Sequence, residues 1–284
     1  MKLFSGLTCQ LPSATRDRRS IRCDIRMVLG ISVFAILACP IHAFAQDGSE
    51  SNPLQDPNAV SAVNTALISM GGTTAYSSIQ DATVTGQTNA PNALDFSPTG
   101  QITWQTIGVS IRCATTSQSA TSIYTVQSGS GSVEDASGSV APMDSRQALT
   151  IFPYHLPGVV LLYLLNASDR SLSVIQDTGT TPNIVHVRSL KQMSDPTLTP
   201  VTQQDWYIDM STGLPSRVDY YLPNATDPTQ DGTATILFTS WQKTPTVLMP
   251  QTLQIQNNGT PLNSVTLSAG QFNQGLSATI FQLP

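Results

Sequence analysis

Trp206-Tyr-Ile-Asp-Met210, Ser211-Thr-Gly-Leu-Pro215 and Arg217-Val-Asp-Tyr-Tyr221 read as a strand, a turn and a returning strand. Apolar and polar side chains alternate on both sides, and Gly213 supplies the positive φ that a tight connection needs. Downstream, Asn258-Gly259 is the strongest two-residue turn signal and predicts a second hairpin over Leu253 to Leu262. Working outward, the same Thr-, Ser-, Val- and Ile-rich alternation predicts strands at Leu172–Gln176, Ile184–Leu190, Asp205–Met210, Ser216–Leu222, Thr233–Trp241, Gln251–Gln256 and Pro261–Leu267. Upstream it predicts Ser78–Thr85, Gln101–Ile107, Val109–Thr116, Ser122–Gln127 and Gly131–Ala136, with Ile102 and Trp104 sharing a face of the second and Ile111 and Cys113 sharing a face of the third. Gly-, Ser-, Pro- and Asn-rich connections separate them, and helices between most of them are missing. The expected fold is therefore mainly β with a few helices, a single curved antiparallel sheet. No repeat of fixed period runs through it, which disfavours propellers and solenoids.

Two segments depart from the strand pattern. Val60, Val63, Leu67 and Met70, spaced by three or four with Asn58 as cap and Gly71-Gly72 as stop, predict a helix opening the domain. Pro157 leads the nearly continuous apolar run Gly158-Val-Val-Leu-Leu-Tyr-Leu-Leu165, closed by Asn166 and Ser168, which predicts a helix buried on most of its surface. That helix is either plain core or a movable apolar lid.

The first 45 residues have the texture of a targeting leader. Arg16, Arg18, Arg19, Arg22 and Arg26 precede the apolar run Met27 to Cys39, and Ala43-Phe44-Ala45 offers a small-residue cleavage site. The run has thirteen residues, short of the roughly 20 a spanning helix needs. Cleavage after Ala45 and a periplasmic or secreted location follow. Lipidation at Cys39 and twin-arginine export through Arg18-Arg19 are competing readings, weakened by Leu37 and Asp17 respectively. Gln46 to Pro57 is polar, without periodicity, and reads as a flexible linker before a domain over residues 58–284.

Beyond residue 45 the chain keeps seven basic and sixteen acidic side chains, a balance of −9. Such acidity without a basic stripe argues against nucleic acid and anionic membrane surfaces as partners. Cys113 is the one cysteine left there, so no intramolecular disulfide forms and stability rests on a core, which about 240 residues can supply. With His155 and His186 the only remaining histidines, a structural cysteine is the simpler reading against a catalytic thiol.

Nucleophile-elbow, zinc-protease, C-x-x-C, phosphate-loop and calcium-loop motifs are all missing, so neither catalytic residues nor a metal or cofactor is expected. Asp205 and Asp209 share a strand face and could serve as a carboxylate pair beside Trp206, but a solvated strand face with Asp209 leading into the turn is the simpler reading. Trp104, Trp206 and Trp241 are either a stacking platform, a cavity lining or core. Arg112 is either a strand residue in water or a hydrogen-bonding partner for a lid.

The C-terminal third carries a further pattern: the D-x-x-T-G-L-P hairpin at Asp209–Pro215, the aromatic strand Ile236-Leu-Phe-Thr-Ser-Trp241, Val247-Leu-Met-Pro-Gln-Thr-Leu-Gln-Ile leading into a strand, and the closing Ala278-Thr-Ile-Phe-Gln-Leu-Pro284. In this order they resemble the LolA/LolB-like periplasmic lipoprotein-carrier superfamily. The resemblance implies an open half-barrel with a helical lid whose concave face takes acyl chains. It would place Trp104, Trp206, Ile208, Phe238, Val160, Leu161, Leu164 and Leu165 as ligand lining and Arg112 as lid contact. The implied function is an exported, non-catalytic carrier of a lipid, acylated group or other apolar small molecule. It would be monomeric, with a transient envelope protein partner. A structural or adhesive module with a filled core, and a carbohydrate-binding or carbohydrate-active protein, are the alternatives.

Overall fold

The computed structural model describes residues 54–89, 99–118, 120–176, 182–224 and 231–283. The expected leader and cleavage site lie outside them. Thirteen strands form one antiparallel sheet: β1 Ala82–Asn89, β2 Gly100–Ile107, β3 Ser110–Ser117, β4 Ala120–Gln127, β5 Ser130–Glu134, β6 Val140–Pro142, β7 Arg170–Ile175, β8 Ile184–Lys191, β9 Gln204–Asp209, β10 Leu214–Leu222, β11 Gly232–Lys243, β12 Leu248–Asn257 and β13 Thr260–Phe272. Their order is β6-β5-β4-β3-β2-β1-β13-β12-β11-β10-β9-β8-β7; β7 takes one further parallel bridge, Gln55↔Leu172, and β6 and β7 do not pair with each other, so the sheet is open.

Two meanders make up this order, β1 to β6 and β7 to β13, joined by the pairing of β1 with β13 from Ala82↔Phe272 to Asn89↔Ser264. Both expected hairpins form. Gly213, at φ +70°, donates its N–H to Asp209 O at 2.7 Å. Asn258 and Gly259 both take positive φ between Asn257 and Thr260. Alternation sets the faces as expected: Ile102, Trp104, Ile111 and Cys113 are all buried.

The helices are α1 Pro57–Ser69, α2 Thr73–Ser77, α3 Ser145–Thr150 and α4 Pro157–Asn166. α1 starts a residue earlier than expected, because Asp56 rather than Asn58 caps it through its bond from Asn58 N at 2.8 Å. Its buried stripe includes Ala59, Ala62 and Ala66, while Val60 is half-buried. Small residues there let the helix approach closely. The segment read as linker ends earlier too: Asp56 N donates to Leu172 O at 2.9 Å, and Asp56 Oδ2 accepts from Val174 N at 3.1 Å. Strand β1 starts at Ala82 instead of Ser78 because α2 occupies the preceding residues, held by Tyr76, whose hydroxyl donates to Leu248 O at 2.9 Å. Strand β5 stops at Glu134 because Asp135 turns the chain through bonds from Ser137 N and Ser139 N.

Since β6 and β7 are opposite edges yet follow one another in sequence, residues 143–169 must cross one face of the sheet. This strap carries α3 and α4. α3 packs on β5 and β10, and α4 on α1, α2 and β7.

Candidate functional site: the strapped apolar face

Under the strap the inward side chains of most strands merge into one apolar cluster. Trp206 is 0% exposed and lies parallel to Phe238, with ring centres 6.2 Å apart. Tyr154 of the strap stacks on Tyr220 at 4.9 Å and leans on Trp206 at 6.1 Å. Val160, Leu161 and Leu164 of α4 are fully buried, and Leu165 packs against the cluster from its rim. Of the eight residues expected to line a ligand site, Trp104, Trp206, Ile208, Phe238, Val160, Leu161 and Leu164 belong to this one core cluster and Leu165 packs against it.

Gly158 fixes how α4 sits: the Tyr76 ring lies where a side chain would be, and a Cβ would fall 2.1 Å from its Cζ. His155, just before α4, lies flat on Trp104 at 4.6 Å, its Nε2 3.4 Å from Thr106 Oγ1. Burial pushes this imidazole down to about 3. Burial likewise pushes the Cys113 thiol up to about 12, against weaker opposing hydrogen bonds from Tyr124, Thr115 and Trp104. Both groups are held neutral at physiological pH, which leaves Cys113 a structural core residue.

The carboxylate pair sits on the opposite, outer face. Asp205 is clamped by Arg188 Nε at 2.7 Å, Gln203 Nε2 at 2.7 Å and His186 Nε2 at 3.0 Å. Burial raises its pKa, but the bonds from Arg188, His186 and Gln203 outweigh that and hold the carboxyl below its ordinary range. Asp209 accepts from Ser211 Oγ at 2.6 Å and Ser211 N at 2.8 Å within the hairpin turn, which lowers its pKa as well. Neither is poised as a proton donor, and Trp104 and Trp206 lie in the core on the other side of the sheet. Trp241 is half-buried against Phe238 at 5.9 Å. A carboxylate-and-tryptophan sugar site is not assembled.

Arg112 does not meet the strap. Alternating with the inward Ile111 and Cys113, it faces outward and donates from Nη1 to Gln105 Oε1 at 3.2 Å. The arginine that does meet the strap is Arg170, 2% exposed at the start of β7. Its guanidinium lies 5.4 Å from the centre of the Phe152 ring and 6.0 Å from that of Tyr163 on α4, and Nη1 donates to Thr202 O at 3.0 Å. Carrying the alternation of Leu172 two residues upstream would have placed Arg170 on the inner face. Elsewhere, a cleft of about 460 Å³ lined by Ser130, Val140, Met143 and Leu283 holds none of the expected residues.

Among the described residues no group of three or more His, Cys, Asp or Glu side chains could hold a metal ion, and no helix is long and apolar enough to cross a membrane. No family model and no curated protein matches the chain. Among solved structures, it is similar to a DUF1329 family protein from Desulfovibrio piger at 12% identity and a TM-score of 0.49, over 78% of this chain and 96% of that one. It is also similar to a LolA superfamily protein from Nitrosomonas europaea at 10% identity and a TM-score of 0.48, over 79% and 97%.

Proposed function

We propose that the protein is a non-catalytic carrier of the cell envelope that holds a lipid, an acylated group or another apolar molecule between the inner face of the sheet and the strap. The observation that carries this reading is the cover itself. α4 is apolar around its circumference, with Val160, Leu161 and Leu164 buried and Val159, Leu162, Tyr163 and Leu165 half-buried. A helix of this kind can exchange contact with the sheet for contact with an acyl chain at little net cost, because either partner removes similar apolar area from water at about 25 cal/mol per Å². Export by the leader at residues 1–45, with release after Ala45, belongs to the same proposal.

One observation favours a second reading. Trp206, Ile208, Val160, Leu161 and Leu164 are each 0% exposed within a single packed cluster, as a structural module with a filled core would have them. Native and denaturing mass spectrometry of organic extracts separates the two, on protein secreted to a bacterial periplasm and purified without detergent. Co-purifying phospholipid, fatty acid or acylated cargo is the expected result. Protein free of cargo that also fails to bind a fluorescent fatty acid would establish the filled-core module instead.

A further inference from the structure

Three fully buried hydrogen-bond donors gather at one end of the strapped face: Arg170 Nε, Ser189 Oγ and Gln204 Nε2, none with a partner among the described residues. Register puts them together. Ser189 stands opposite both Leu172 and Gln204, which fixes these side chains on the inner face, and Arg170 is two residues from Leu172 on that face. Arg170 also donates to Thr202 O, two residues before Gln204. The amide orientation of Gln204 follows from its neighbour. Trp206 Nε1 can only donate, and it does so to Gln204 Oε1 at 3.1 Å, so Nε2 is the donor left over.

Ser189 and Gln204 are 0% and 2% exposed, and each unmatched buried donor is costly. Arg170 is costlier still, since a buried guanidinium wants a carboxylate. The nearest one in sequence, Asp169, is bound by Lys191 Nζ at 2.7 Å and acts on Arg170 only through space, without a hydrogen bond to its guanidinium. Aromatic faces and one carbonyl offset only part of that cost. What the three donors share is the need for acceptors, and one of them is a fixed cation. The next rung along the strands is Val187, Trp206 and Val218, all 0% exposed, so the polar end passes directly into the apolar face.

We propose that Arg170, Ser189 and Gln204 bind the carboxylate of an amphiphilic ligand whose hydrocarbon tail lies along the Val187–Trp206–Val218 rung. The proposal rests on the carrier reading and narrows it to ligands with an ionised carboxyl headgroup. Palmitate and methyl palmitate, which share a tail, test it by displacement of a neutral apolar dye from the protein purified from a bacterial periplasm. Palmitate is expected to bind about tenfold to a hundredfold more tightly than the ester. Arg170→Met should abolish the difference and leave the ester unaffected, while Ser189→Ala should reduce it. Equal binding of the two probes by the unaltered protein would overturn the headgroup site and leave the carrier reading standing, whether or not the variants fold. Binding of neither would overturn both. A preference retained in Arg170→Met would overturn the assignment to these donors.

Discussion

His155 couples the strapped face to pH through a single ring. It is 2% exposed, flat on Trp104, with Cys113 and Tyr124 as neighbours of that tryptophan, and burial takes its folded pKa to about 3 against an ordinary 6.5. The unfolded chain therefore binds a proton at this position more readily than the folded one. Stability is full above pH 6.5 and falls as pH drops towards 3, by at most about 1.4 kcal/mol per pH unit. Urea midpoints measured from neutral pH down to the carboxylate range should show this slope, and His155→Gln should flatten it even if it lowers the starting stability. An unchanged slope in the variant would assign the pH dependence to other groups.

Among the elements, the joint between β1 and β13 is anchored at one end by a buried carboxylate, beyond the register that runs from Ala82↔Phe272 to Asn89↔Ser264. Asp81, 4% exposed just before β1, accepts from Gln274 N at 2.8 Å, Gly275 N at 2.9 Å and Leu276 N at 3.2 Å, so it terminates β13 as well as starting β1. Asp81→Ala strands three N–H groups and should cost about 3 kcal/mol by denaturant unfolding. Asp135→Ala, in an exposed turn of similar pattern, should cost less than half as much. Asp81 also marks the border of what the sequence makes legible. Strands such as β2 and β3 announce themselves by alternation at Ile102, Trp104, Ile111 and Cys113, and the turns by Gly213 and Asn258-Gly259. Helix α4 announces itself through Pro157 and an unbroken apolar run. The pairing of β1 with β13 has no local signal, because it joins residues nearly the length of the domain apart. Helix α2 is set by Tyr76 reaching Leu248, and the cover over Arg170, whose face does follow from the alternation of Leu172, by Phe152 and Tyr163 of the strap. Such features arise from tertiary packing, which overrides weak local preference.

On the scale of the whole sheet, the missing hydrogen bonds between β6 and β7 are replaced by covalent chain. Residues 143–169 run from one edge to the other, so the apolar face is enclosed without the ladder being closed. Lifting α4 then costs side-chain contacts alone, and every strand keeps its partners. If α4 is joined to α1, the element it packs against, by an engineered disulfide, ligand uptake should slow by at least tenfold with little change in the circular dichroism of the sheet, and reduction should restore it. Unaltered uptake in the oxidised protein would mean that α4 is not the route in. The same order of strands has a consequence for a severed chain. Because the strap is the only connection between the two meanders in sequence, one cut within it yields two fragments, each a run of consecutive hairpins, that remain zipped to each other along β1 and β13. The molecule is thus two complementary halves written in a single chain, and the peptide linking them serves as cover for the face they build together.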